Sequence, residues 1–134
     1  MKYWLIKSDP DTYSWDDQVK AGIEPWDGVR NFQARNFMKE MKVGDIALFY
    51  RSIVKPAVEG VVEIVKEHYP DPKDERFVVV DVKTLYKLKS DVLLSDIKQH
   101  PDLQNLLLLK QSRLSVMPIT KEEFEIISNL GGGN

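Results

Sequence analysis

The chain has 134 residues, of which 43% are hydrophobic and 30% charged, with no cysteine and a formal net charge of −2. A chain of roughly 150 residues buries about 68–70% of its unfolded surface, so one domain with a real core is expected. The absent cysteines exclude disulfides, thiolate catalysis and thiolate metal sites, no apolar run approaches the roughly 20 residues that cross a bilayer, and the slightly negative charge argues against a general polyanion binder.

In chain order, Tyr3 to Lys7 alternates around Trp4 and Ile6 and reads as a strand with Trp4 in the core. Met1 to Lys7 is too short and too polar for a signal peptide, so a cytoplasmic protein is expected. Ser14 caps a short helix whose first turn carries Asp16 and Asp17 and whose end is marked by Ala21-Gly22. Trp15 at its start packs that helix down. Glu24 to Gly28 reads as a loop. Asn31 caps a second helix running to about Met41. Strands follow at about 46–51, 57–65 and 76–88, the last two carrying the β-branched runs Val61-Val62 and Val78-Val79-Val80. Between them, Tyr69 to Asp74 reads as a turn-rich hairpin connection. Ser95 caps a short helix, Pro101 starts another that carries the apolar stretch Leu106 to Leu109, and Leu114 to Pro118 is a final strand. Thr120-Lys121-Glu122-Glu123 is a capping box for the last helix. Gly131 to Asn134 is expected to be a disordered tail after a domain spanning 1–130. Mostly antiparallel strands with local helices predict an α+β fold with a curled sheet or small barrel.

Enzyme chemistry finds little footing. His68 and His100 sit at element ends, and no spacing gathers them with carboxylates into a metal site. Asp9, Asp11, Asp16 and Asp17 suit turns and helix caps better than acid–base work. No glycine-rich phosphate loop or nucleophile elbow is present. No cofactor and no metal are expected. Charge is uneven, however: between Gly28 and Lys55, Arg30, Arg35, Lys39, Lys42, Arg51 and Lys55 face only Glu40 and Asp45. Such a run is either a solvated helix face or a phosphate-contacting patch.

Four segments, in order and spacing, resemble the EVE domain family: Tyr3 to Trp15, Trp26 to Asn36, Lys42-Val43-Gly44-Asp45 through Phe49-Tyr50-Arg51-Ser52, and Gln111 to Val116. The resemblance spans essentially the whole chain. It implies a PUA-like fold, a small curled β-barrel flanked by short helices. It also implies a binding module for a modified base of DNA or RNA, akin to YTH domains that hold a methylated adenine in an aromatic cage. One departure is Arg51-Ser52, where many members carry His-Ser, and this bears on which base is read.

On these motifs, Trp26, Lys7, Ser8, Gly28, Val29, Tyr50 and Ser52 are expected to converge on one base-sized pocket, because a base must leave its stack to be read. Trp26, in a loop, is either an anchor on the core or a stacking wall. If it is a wall, Trp26→Ala should remove most binding to a modified oligonucleotide and leave the thermal transition nearly unchanged. Lys7 and Ser8 offer a cation and a hydroxyl, and Gly28 allows close backbone approach. Arg30, Asn31, Arg35, Lys39, Arg51 and Arg113 are candidates for the nucleic-acid backbone. Arg30 is otherwise a partner of Asp27 or Asp45, Tyr50 a core residue, and Arg113 an ion-pair residue. A monomer is expected. The alternative function is a small enzyme or sensor acting on a free nucleobase-like molecule in the same pocket.

Overall fold

The computed structural model describes residues 1–133. Alternation about Trp4 and Ile6 makes the strand β1 (Tyr3–Ser8), and Trp4 is 1% exposed. The capping signals locate the helices well. Ser14 closes a capping box with Asp17 at the start of α1 (Trp15–Ala21), and Gly22 ends it at φ 72. Asn31 accepts the Ala34 N–H at the start of α2 (Phe32–Glu40), and Thr120 with Glu123 caps α5 (Lys121–Leu130). Strand β3 (Ile46–Arg51) falls where its apolar run predicts.

Several elements differ from the sequence reading. The expected loop at 24–28 begins as a strand, β2 (Ile23–Trp26), paired antiparallel to the long strand β5 (Asp74–Leu93) with Trp26 opposite Val80. Pro25 is tolerated there because β2 lies at the sheet edge, where the missing N–H faces no partner. The turn-rich connection is far shorter than expected. Strand β4 (Ala57–Asp71) and strand β5 (Asp74–Leu93) run almost into each other as one long hairpin, with register shifts that let Pro70 sit inside the ladder. Ser95 is not a cap: α3 (Leu94–Gln99) starts two residues earlier than that cap would place it, with Leu93 at the N-cap and no side-chain hydrogen bond. Pro101 opens only a 3₁₀ turn (Pro101–Leu103), and the apolar run forms a separate turn of helix, α4 (Leu107–Lys110). The final strand is β6 (Val116–Ile119). Gly131, Gly132 and Gly133 donate backbone hydrogen bonds to the carbonyls of Ile127, Asn129 and Ser128 at the end of α5, and Asn134, the last residue of the expected tail, lies outside the described residues.

The six strands form one sheet in the order β2-β5-β4-β3-β1-β6. Only the β1–β3 pairing is parallel. The expected barrel is corrected to an open sheet: the edge strands β2 and β6 do not pair, and bulges in the long hairpin bend the sheet without closing it. Helix α2 lays Ala34 and Met38 onto β4, β5 and β6, and α5 packs against β5. Among the described residues no helix is long and apolar enough to cross a membrane.

One close approach fixes α1 on the sheet. The Trp15 ring, 4% exposed, lies 5.2 Å from Phe49 and directly over Gly60, where a Cβ would come within 2.4 Å of the indole. Gly60→Ala is therefore expected to destabilise the fold by about 1–3 kcal/mol through overpacking. A denaturant midpoint equal to the parent's would show that Trp15 can move aside.

Candidate functional site

The end of β1 and the end of β2 open onto a common cavity of about 430 Å³. After β1 the chain turns sharply. Asp9 accepts the Asp11 N–H through its side chain and the Thr12 and Tyr13 N–H groups through its carbonyl. The Ser8 hydroxyl donates to the Tyr13 carbonyl, so the turn is fastened at both ends. Tyr13 is thereby aimed at Trp26, ring centres 5.9 Å apart and nearly perpendicular. Phe49 of β3 meets Trp26 edge-on from below at 5.7 Å. Such edge-to-face packing places ring edges on a neighbour's π-face and holds the cluster rigid.

Tyr13 is further tied to the core. Its hydroxyl donates to the fully buried Gln18, whose amide nitrogen donates to the Thr84 hydroxyl. Burial, with the nearby negative charges of Glu24 and Asp17, pushes the Tyr13 phenol up to about 12, so it stays a neutral donor at physiological pH. The rest of the lining mixes charges. Lys7 and Arg30 supply cations, Asp9, Glu24 and Asp27 carboxylates, and Val29 and Pro25 apolar surface. Lys7 reaches the Ser112 carbonyl at 3.0 Å and lies 6.0 Å from the centre of the Tyr50 ring. Burial lowers its pKa.

The wall opposite β1 depends on a carboxylate that sequence reading does not single out. Asp71, 1% exposed, accepts from the Gly28 N–H at 3.2 Å, the Arg30 guanidinium at 3.0 Å and the Lys73 N–H at 2.9 Å. The Lys73 N–H, against the opposing effect of burial and together with Arg30 and Gly28, holds its carboxyl below the usual range. Arg30 therefore pairs with Asp71 and not with Asp27 or Asp45. Gly28 sits at φ 76 with open space where a Cβ would project, so its backbone conformation, not close approach, demands glycine.

Lys7, Ser8, Trp26, Gly28 and Val29 thus come together around the cavity, joined by Tyr13, Thr12, Arg30 and Ser115. Tyr50 and Ser52 do not border it. Tyr50 is 3% exposed in the core, and Ser52 donates its N–H to the Ser8 carbonyl. Among the backbone candidates, Asn31 is occupied as a helix cap. Arg35 lies over the Phe32 ring, and Lys39 and Arg113 are exposed away from the cavity lining. Arg51 is turned onto its own hairpin. It donates to the carbonyls of Val54 and Lys55 and to Glu59 and Asp91, at 2.7–3.2 Å, using four of a guanidinium's five N–H groups. These bonds clamp Val54 and Lys55 at φ 56, a left-handed conformation costly for a β-branched residue. The missed members Tyr13 and Asp71 carry no local pattern of their own. Tyr13 lies within the first motif, whereas Asp71 is 43 residues from Gly28.

The histidines and aspartates set aside above have structural places. His100 accepts the Asp102 N–H at 3.1 Å, His68 is exposed on β4, and Asp17 closes the α1 cap. Among the described residues no three metal-ligating side chains gather.

A single open sheet with short helices and an aromatic-floored cavity at the ends of β1 and β2 defines a small α+β ligand-binding domain. The EVE domain family model matches residues 2–130, and the chain belongs to that family. Thymocyte nuclear protein 1 of Gallus gallus is 35% identical over an alignment covering 96% of this chain and 68% of the relative. The Homo sapiens protein of that name is 34% identical, covering 96% and 73%. Among solved structures, a Rhodopseudomonas palustris protein is 44% identical with a TM-score of 0.93, covering 98% of this chain and 94% of that one. Human THYN1 in complex with 5-methylcytosine-containing DNA is 32% identical with a TM-score of 0.91, covering 100% and 99%. The expectation of a cytoplasmic protein is overturned by the thymocyte nuclear protein 1 relatives, which match nearly the whole chain and are named nuclear proteins.

Proposed function

We propose that this chain is a non-catalytic reader that captures a flipped, modified base of DNA, of the 5-methylcytosine class, in the Trp26 cavity. The observation that carries the reading is the coincidence of two things. The cavity is floored by Trp26 and Tyr13 and rimmed by directed polar groups, and the fold matches over its whole length a human relative solved with 5-methylcytosine-containing DNA. An aromatic face supports stacking, worth about 1–3 kcal/mol per base. Asp9, Glu24 and Asp27 suit an exocyclic amine, since carboxylates accept from the N4 group of cytosine. Lys7, on the cavity rim, supplies a cation for the attached phosphate, while Arg30 is held by Asp71. At about 430 Å³ the cavity has room for one base.

The test is a binding panel of DNA and RNA oligonucleotides, each with and without the base modification, titrated across salt. A polymer ligand gives log K falling linearly with log salt, with a slope set by the phosphates neutralised. The reading expects tighter binding to 5-methylcytosine DNA than to unmodified DNA and a measurable slope. Equal affinity for both would defeat it, and a flat salt response would favour a free nucleobase as ligand.

A further inference from the structure

Beside the cavity stands a second aromatic feature, an exposed ring laid on a buried one. Phe32, the first residue of α2, is 52% exposed although it is a large apolar side chain. It stacks on Phe77 of β5, ring centres 4.9 Å apart and 24° between planes. Three arginines surround the pair. Arg35 has its Cζ 4.8 Å from the centre of the Phe32 ring, and Arg30 and Arg76 have theirs 5.2 and 5.8 Å from the centre of Phe77. Arg30 also lines the cavity, so the column is continuous with it through one side chain.

We propose that Phe32, backed by Phe77 and flanked by Arg30, Arg35 and Arg76, is a stacking platform for the nucleotide next to the base held in the cavity. The proposal rests on the base-capture reading and extends it to the strand outside the pocket. Phe32 covers Phe77 with part of its ring, yet it stays 52% exposed, and the Arg35 guanidinium lies over it, so ring and guanidinium plane together offer a stacking surface with a charge beside it. Extrusion of one base leaves its neighbour with an unstacked face, and an aromatic ring or a guanidinium plane supplies a replacement surface that accepts any base. The charges fit the same occupant. Arg30 and Arg76 are bound to Asp71 and Asp74, while Arg35 has no carboxylate partner among the described residues and donates only to the Arg76 carbonyl and to Asn36. Its charge is the one left for a phosphate.

The platform reads no modification, so its loss should weaken modified and unmodified DNA alike. The experiment compares the parent with Phe32→Leu and Arg35→Gln, using an oligonucleotide that carries 5-methylcytosine or cytosine with 2-aminopurine as the adjacent base. Phe32→Leu is expected to weaken both oligonucleotides about tenfold or more. It should abolish the change in 2-aminopurine emission that the parent produces, with the ratio between the two targets and the salt slope unchanged. Arg35→Gln should lower the salt slope by about one unit. Undiminished binding and an unchanged emission response in Phe32→Leu would overturn the platform and leave the cavity reading standing, with Phe32 then free for a protein partner. Loss of discrimination between the two targets in the parent would instead overturn the cavity reading.

Discussion

Trp26→Ala is expected to lose most affinity for a modified oligonucleotide and also about 3–5 kcal/mol of folding stability, the usual cost of truncating a large buried aromatic. The second effect departs from the sequence expectation of a nearly unchanged thermal transition. Trp26 is only 8% exposed, it closes the β2 edge opposite Val80, and it meets Tyr13 and Phe49 at right angles. It anchors the core and also lines the cavity, so a role as anchor does not exclude one as stacking wall. Truncation to alanine would therefore confound a binding loss with a folding loss. Trp26→Leu separates them, because leucine keeps apolar volume against Phe49 and removes the π-face. The leucine protein should remain folded at 25 °C by circular dichroism and should bind the modified oligonucleotide about tenfold or more weakly, in line with the stacking energy of about 1–3 kcal/mol per base. Parent-like affinity in a folded Trp26→Leu protein would confine Trp26 to the core and move recognition to the polar rim.

What the sequence disclosed and what it hid follow a physical division. Local chemistry was legible: Ser14, Asn31 and Thr120 each announce a helix start because a side-chain oxygen meets a backbone N–H three residues on. Burial of Trp4 followed from period-two alternation. Non-local pairing was not legible. Strand β2 carries a proline and no alternation, and only its partner β5 makes it a strand. Tyr69 to Asp74 does hold the hairpin turn, at Pro72-Lys73, but the ladder with its bulges runs up to Asp71 and Asp74 on either side of it. The site divides in the same way. Trp26, Lys7, Ser8, Gly28 and Val29 lie in dense motifs. Asp71, which fastens Gly28 and Arg30 from the far end of the hairpin, is one aspartate in a turn-like stretch until the fold brings it 3.0 Å from the guanidinium. Tyr50, Ser52 and Arg51 belong to an equally dense motif but serve the core and the β3–β4 turn. Motif membership therefore does not separate ligand contact from support.

Asp45→Ala should be among the most destabilising single changes outside the site, at about 3–5 kcal/mol, because it strands several polar groups that one buried carboxylate now satisfies. Asp45 is 3% exposed. Its two oxygens accept the Lys2 N–H at 3.0 Å, the Trp4 indole N–H at 3.1 Å and the Lys42 N–H at 2.9 Å. Its backbone adds bonds to Lys42 and Ile64, so one residue joins the start of β1, the turn before β3 and strand β4. Alanine leaves the Trp4 indole N–H without a partner in the core, where water does not replace the carboxylate. Asp45→Asn keeps the shape but loses the charge and one acceptor, and should cost roughly half as much. Burial alone would raise the carboxyl pKa, but the bonds from Lys2, Lys42 and Trp4, with the N-terminal charge, outweigh it and hold the value below the ordinary one. A folded-state pKa below the unfolded value of about 3.9 means that the stabilisation is complete above that pH and is lost as pH falls through the folded value. The stability difference between parent and Asp45→Asn, measured by urea unfolding, should therefore hold steady from pH 7 to pH 5 and shrink below about pH 4. A gap that stays constant down to pH 2.5, or one that is negligible at pH 7, would show that the carboxylate charge contributes nothing and that the indole N–H finds another acceptor.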